Sequence, residues 1–204
     1  MKKLLVASAI ALFGLSNAQI AKGTTYISGQ VGYEGVKDNN FDRSEDTFKI
    51  IPTVGYFVSN DVAVGLGVGY ATTADKYTNA LDQKVKNSTS AFVVEPFVRK
   101  YWNLGEKLYI FGQLSVPMSW GNDKLEVASE EVAKAKFSSY GVVIKPGLDY
   151  VINKRWSVEA TIGKFGYESA SYKDAESVEN YGFGLNLNNV GFGVKYFFGA
   201  KEAK

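Results

Sequence analysis

The residue types available for chemistry in this 204-residue chain are narrowed first by what is missing: it has no histidine and no cysteine. Thiolate metal sites, disulfides, thiol nucleophiles and imidazole acid–base pairs are therefore excluded. Carboxylates remain as acid and base candidates, Glu95 and Glu159 being among those that the pattern below turns inward. Three short motifs invite a binding role, and each lacks something its chemistry needs. Gly65, Gly67 and Gly69 do not have the G-x-G-x-x-G spacing of a dinucleotide loop, and they share one face of a strand instead of opening a helix. Asp38, Asn40, Asp42 and Glu45 sit at calcium-loop intervals, but an EF-hand needs Gly where Arg43 stands and Glu where Lys49 stands. Asn87-Ser88-Thr89 matches a glycosylation acceptor, a pattern common by chance. No catalytic residue, cofactor or metal is expected.

The elements that must position the charges are short segments of period-2 alternation. Strand one, near Thr24 to Val36, places Ile27, Val31 and Tyr33 opposite Ser28, Gln30 and Glu34. Strand two, near Thr47 to Val58, gathers Phe48, Ile50, Pro52, Val54, Tyr56 and Val58 on one face. In strand three, Val62 to Thr72, a row of Val, Leu and Tyr backs a row of Gly and Ala. Strands four (near Thr89 to Trp102), five (Leu108 to Trp120), six (near Ser138 to Val151) and seven (from Trp156) repeat the pattern. Strand eight ends with Val190, Phe192, Val194, Tyr196 and Phe198, and a bulge at Asn188-Asn189 would reconcile it with the opposite parity upstream. Glycine at 21, Tyr and Phe at 13 each and only four prolines suit a sheet-rich chain. Tight turns near 59–61, 103–106 and 153–155 alternate with long polar segments near 37–46, 74–88, 121–136 and 168–180. The segment Leu125 to Lys136 fits either a short amphipathic helix or an extended hairpin.

Residues 1–18 carry Lys2 and Lys3, an apolar stretch from Leu4 to Leu15 and a small-residue site at Ser16-Asn17-Ala18, the pattern of a cleaved signal peptide. Its removal takes the basic count from 23 to 21, against 21 acidic residues, so the mature chain is formally neutral and offers nothing to nucleic acid. Residues 19–198 then form one all-β domain, an eight-stranded antiparallel up-and-down transmembrane β-barrel of the bacterial outer membrane, followed by a polar tail at 199–204. Three features turn the apolar face toward lipid instead of an internal ligand. It is nearly free of charge; its opposite face is crowded with small residues that a narrow interior demands; and aromatics collect at both of its ends. Tyr33, Phe48, Tyr70, Phe92, Trp120 and Tyr140 lie at the loop end, and Tyr56, Trp102, Tyr150, Trp156, Tyr196 and Phe198 at the turn end. Ten residues from Tyr140 to Tyr150, at about 3.3 Å rise and about 40° tilt, span about 25 Å, the height of the apolar band.

The inward charges are then Glu34, Glu95, Asp149 and Glu159 against Lys49, Arg99, Lys145 and Lys195. Isolated charges in a confined space are costly and paired ones tolerable, so a charge network filling the lumen is expected. Glu159 and Lys195 fall at matching depth on neighbouring strands and are candidates for direct pairing.

The run from Pro52 to Tyr70, with Glu95-Pro96-Phe97-Val98-Arg99-Lys100-Tyr101 and Lys145-Pro146-Gly147-Leu148-Asp149-Tyr150, resembles small porin-family proteins with an outer membrane protein β-barrel domain, relatives of the OmpX and OmpA barrels. The resemblance implies fold and location, with outer-membrane lipid as the surroundings, and brings no catalytic residues. It also implies an assembly signal in the last strand, Val190, Phe192, Val194, Tyr196 and Phe198, read by the barrel-assembly machinery. Here six residues follow the aromatic that usually ends such chains. Barrel enzymes such as omptin proteases and phospholipase A resemble one another in using histidine, which this chain lacks. The expected role is structural or surface-interacting, through long loops that meet a ligand the sequence does not name. The runner-up is a narrow channel or conduit for small solutes. Bulky inward Phe57, Phe97, Tyr109 and Phe111 favour a plug over the channel.

Overall fold

The computed structural model describes residues 20–38, 42–172, 178–184 and 190–198. Among these, the chain forms strands β1 (Thr25–Asp38), β2 (Arg43–Ser59), β3 (Val62–Thr78), β4 (Lys84–Asn103), β5 (Leu108–Ser115), β6 (Met118–Val127) and β7 (Glu130–Val151). They are followed by β8 (Trp156–Ile162), β9 (Lys164–Tyr172), β10 (Val178–Gly184) and β11 (Val190–Phe198). All pair antiparallel. β4 meets both β5 and β6, β7 meets β5, β6, β8 and β9, and β8 and β9 meet β11 and β10 respectively. Three staves are therefore each built from two segments, which makes eight staves among the described residues. β1 pairs with β2 along its whole length and with β11 from Thr25↔Phe198 to Gln30↔Gly193, which closes the ring.

Two of the interruptions have separate causes. Between β5 and β6 stands Pro117, which has no N–H to give the ladder. The register is kept nonetheless, since Val116 N–H donates to the Pro96 carbonyl and Gly141 N–H to that of Pro117, both at 3.0 Å. Between β8 and β9, Ile162, Gly163 and Lys164 stand opposite only Lys145 and Pro146 on β7. This is a bulge centred on Gly163, whose φ of +71° is open to glycine at little cost. It inverts parity: Trp156 and Val158 face out below it on even numbers, Tyr167 above it on an odd one. The bulge expected at Asn188-Asn189 lies outside the described residues.

The long polar segments correct the expectation of loops. Most of 37–46, 74–88 and 121–136 is strand, and two of the hairpins narrow to short tips near 79–83 and 128–129. The Leu125 to Lys136 segment is hairpin and not helix, turning on Ala128 and Ser129 with φ of 52° and 71°. Both positive angles match the primed two-residue turn that suits strand twist. Above the aromatic level both faces of the ladder are mainly polar, apart from one row of Tyr77, Val85 and Val127, so the extensions carry no long apolar stripe to reveal them. They are held by main-chain bonds and cross-strand pairs such as Thr47–Thr73 and Thr72–Ser90, each at 3.1 Å.

Burial separates the two faces of the ring. Ile27, Val31, Val54, Leu66, Val98, Leu114, Val142 and Val194 all stand exposed on the outside, while Phe57, Phe97, Phe111 and Tyr101 are buried inside. A belt of exposed apolar side chains this continuous is incompatible with water and suited to hydrocarbon.

Candidate functional site

The lumen brings together most of the charges that alternation turns inward. Cross-strand register sets the first contacts: Asp149 on β7 faces Glu159 on β8, Arg99 on β4 faces Gln113 on β5, and Gln113 faces Lys145 on β7. Lys195 on β11 sits beside Ser157 and reaches both carboxylates. Its ammonium pairs with Asp149 and lies 3.1 Å from Glu159 Oε2. Arg99 pairs with the same Glu159 oxygen and donates from Nε to Gln113 Oε1 at 2.8 Å. Ser28 Oγ–H donates to the other oxygen of Glu159 at 3.1 Å. Gln113 then carries the network upward. Its amide donates to Glu95 at 3.2 Å and to Ser115 Oγ at 2.9 Å, and Glu95 pairs with Lys145.

Three cations and three anions are thereby joined, and five of the six side chains are almost wholly out of solvent. Lys195 and Asp149 are 0 % exposed and Arg99 is 3 %. Burying charges at this depth is costly unless pairing and hydrogen bonding are nearly complete. Among these charges completeness fails at Asp149 Oδ1, which has no hydrogen-bond partner among the described residues while Lys195 holds the other oxygen; the nearby Tyr26 and Ser157 hydroxyls are likewise unpartnered. One of the charges expected in this network, Lys49, stands apart from its core. Lys49 is exposed, further toward the loop-side mouth, within the field of Lys145, Glu95, Lys164 and Glu168. Glu34 is described through its backbone alone, paired with Thr47.

Beneath the ionic layer, toward the tight turns, lies an aromatic one. Tyr26, Phe57, Ala63, Phe97, Tyr101, Tyr109, Phe111 and Phe197 form one buried cluster, with Ile20 and Val151 packed against it. Ring centroids are spaced 5.5–6.3 Å, in tilted and edge-on pairs. The rings fit because glycines give them floor space. Tyr26, Phe97 and Phe111 each face a glycine directly across the ladder, Gly55, Gly65 and Gly147. A β-carbon on any of these would collide with the opposing ring. The glycine row of β3 is thus packing space within a strand. Residues near the start of the described chain complete the floor: Ile20 N–H donates to Asp61 Oδ1 at 2.9 Å, and Gly23 N–H to the Phe57 carbonyl at 2.9 Å.

Tyr101 couples the two layers. Its hydroxyl receives Arg99 Nη1 at 3.2 Å and Lys195 Nζ at 3.0 Å, while its ring lies in the aromatic cluster. Arg99 also stacks over Phe111 at 4.1 Å, and Lys195 lies 5.0 Å from the centre of the Tyr26 ring. Tyr26, Tyr101, Ser28 and Gln113 were not among the candidates. The usable signal was inward parity on a strand that also carries an inward charge, which marks Tyr101 two residues after Arg99.

Outside the ring the aromatic candidates occupy two levels. Tyr33, Phe48, Tyr70, Phe92, Trp120 and Tyr140 are exposed toward the hairpin tips, and Tyr56, Trp102, Tyr150, Trp156 and Phe198 toward the tight turns. Register groups them, with Tyr33 opposite Phe48 and Phe92 beside both Tyr70 and Trp120. On the turn side, Trp156 meets Tyr196, and Tyr196 meets Phe198, edge to face at 4.9 Å each. On β11, Val190 stands opposite Ile162, Phe192 and Val194 are exposed outward with Phe198, and the tail at 199–204 lies outside the described residues.

A family model described as "Outer membrane protein beta-barrel domain" matches residues 5–200. No curated protein matches the chain. Among solved structures, it is similar to the N-terminal β-barrel domain of Pseudomonas aeruginosa OprF, at 12% identity and a TM-score of 0.43, covering 87% of this chain and 98% of that one. It is also similar to Neisserial surface protein A, at 15% identity and a TM-score of 0.45, covering 86% and 99%. A third similar structure is the outer membrane protein OprG from Pseudomonas aeruginosa, at 13% identity and a TM-score of 0.45, covering 87% and 97%.

Proposed function

The chain belongs to the outer membrane protein β-barrel domain family, and on that premise we propose that it is a sealed, non-enzymatic barrel that acts through the surface of its extended hairpins. One observation carries this reading: at mid-lumen two layers of buried side chains lie one on the other. The ionic layer of Arg99, Glu159, Lys195 and Asp149 rests directly on the aromatic layer, and the side chains of both are almost fully buried. An eight-stranded ring has room for side chains and little more. The same residues argue against an enzyme, because every inward carboxylate in the core network is neutralised by a cation, which leaves none poised to move protons.

Three further parts belong to the proposal. Residues 1–18 export the chain and are removed before Gln19. The outward row of β11, ending in Tyr196 and Phe198, is the assembly signal. The hairpins above Tyr33, Trp120 and Tyr140 stand on the cell surface, where they meet a partner or stabilise the envelope. Planar-bilayer conductance of the purified, folded protein tests the seal. The expected trace has no open-channel steps. Steady conductance with the network intact would replace this reading with that of a narrow solute channel.

A further inference from the structure

The outward face of β6 and β7 changes character abruptly above its aromatic level, in three successive rungs that climb away from the membrane. Trp120 stands opposite Ser138, then Asn122 opposite Lys136, then Lys124 opposite Lys134. Each rung adds two residues, about 6.6 Å along the strand and, at about 40° tilt, about 5 Å in height. Lys136 therefore stands about 5 Å above the Trp120 level and the Lys124–Lys134 rung about 10 Å above it. That is headgroup depth if the aromatic level marks the edge of the hydrocarbon.

Two independent features show what this face is built to meet. The first is an open groove lined by Trp120, Asn122, Lys136, Ser138, Ser171 and Tyr172, which offers an ammonium, an amide and serine hydroxyls, while the Tyr172 hydroxyl is engaged by Asp123. Lys136, Ser138 and Ser171 are all exposed. The second is the pair of like charges, Lys124 and Lys134, set directly opposite each other, with Lys76 opposite Lys86 repeating the arrangement two strands away. Like charges in direct cross-strand register are destabilising by themselves. Within the Lys124–Lys134 pair, the charge of Lys124 is partly offset by Glu131 at 3.2 Å. An anion seated between the lysines would relieve the repulsion, and the hydroxyl and amide donors below it would orient its oxygens.

We propose that this face, with Lys136 at its centre and Lys124 and Lys134 above, binds the phosphate groups of phosphorylated glycolipids in the surrounding outer leaflet. The proposal rests on the membrane placement given above, and not on whether the lumen is sealed. Trp120 supplies the apolar boundary for acyl chains and the rungs above it supply the charge.

Diphosphoryl lipid A is titrated into the folded, full-length protein in neutral detergent, and retained lipid is read by native mass spectrometry. Wild type should hold it with an affinity that falls as salt rises, and should hold the dephosphorylated lipid no better than phosphatidylcholine. The Lys124→Gln/Lys134→Gln/Lys136→Gln variant should lose affinity by at least about tenfold, while Lys37→Gln on β1 should not. Lys136→Gln alone, the mildest change, should lose part of it in the same direction, so the question stays answerable if the triple variant folds poorly. Equal retention of both lipid forms, or unchanged binding in the folded variants, overturns the headgroup site. Open-channel conductance in these same preparations would overturn the sealed lumen and leave the lipid result standing.

Discussion

The turn-side and tip-side halves of this barrel are built from the same staves, yet they treat charge in opposite ways. In the lower half, charges point inward, are buried and share partners: Glu159 alone takes Arg99, Lys195 and Ser28. In the upper half, ion pairs such as Lys86–Glu126 and Lys124–Glu131 sit on the outer face, with side chains 28–46% exposed. The difference teaches where stability and interaction are separated. A buried network is expensive to break because its survivors have no water. An exposed pair is cheap to break, so its residues are free to serve a partner.

The largest effect should come from removing the cation that holds two buried carboxylates, Lys195. In Lys195→Met, Asp149 loses the one side chain that bonds it among the described residues, and Glu159 keeps Arg99 and Ser28. The expected loss is about 3–5 kcal/mol, measured by urea unfolding of the refolded barrel in detergent or lipid. Adding Glu159→Gln should cost less than the sum of the single changes, because each removes part of what the other was compensating. An additive cycle would mean that the 3.1 Å contact does not couple the two and would weaken the contrast between halves. A gain of conductance in Lys195→Met would show that the network, and not the aromatic floor, closes the lumen.

How much of this was legible in the sequence depends on the distance over which residues must find one another. Strict alternation was enough to turn Glu95, Arg99, Asp149, Glu159 and Lys195 inward, and matching depth was enough to bring Glu159 and Lys195 together. The third partner was not legible. Arg99 and Glu159 lie on β4 and β8, which do not touch, so their meeting depends on the tilt and stagger of the whole ring. The rings over glycines were only half visible: the glycine row of β3 read as small inward residues, but not as the floor beneath Phe97. Nor did the pattern find the strand extensions, because a ladder mainly polar on both faces has little period in hydrophobicity. The Gly163 bulge does leave a signal, an isolated glycine within strand seven, but alternation alone does not say that parity flips there.

A smaller effect should separate the polar from the apolar duty of the residue joining the two layers. Tyr101→Phe keeps the ring within the aromatic cluster and deletes the oxygen that Arg99 and Lys195 share. Two buried charged donors are left one partner short, at a cost of about 1–3 kcal/mol. Tyr101→Leu should cost more, because ring packing is lost as well. If the two variants prove equal, the hydroxyl carries the whole contribution, and the layers are held together by polar bonding alone.

The smallest effect belongs to the upper half and is the one that sharpens the comparison most. Lys86 and Glu126 form a 3.2 Å pair across β4 and β6, but water reaches both side chains and Lys76 stands directly opposite Lys86 on β3. The attraction is screened and partly cancelled by the neighbouring like charge. Lys86→Gln should therefore change unfolding stability by no more than about 1 kcal/mol, with relief from Lys76 offsetting the loss of Glu126. The size of the change should depend on salt: screening weakens both effects, and near 1 M, where the screening length is about 3 Å, the variant and wild type should converge. Measured beside Lys195→Met under the same conditions, the pair of experiments compares two lysines of one barrel that differ in burial. If Lys86→Gln cost as much as Lys195→Met, exposure would not be what divides the halves. The hairpins would then have to be regarded as part of the barrel's structural core and not as a surface free to bind.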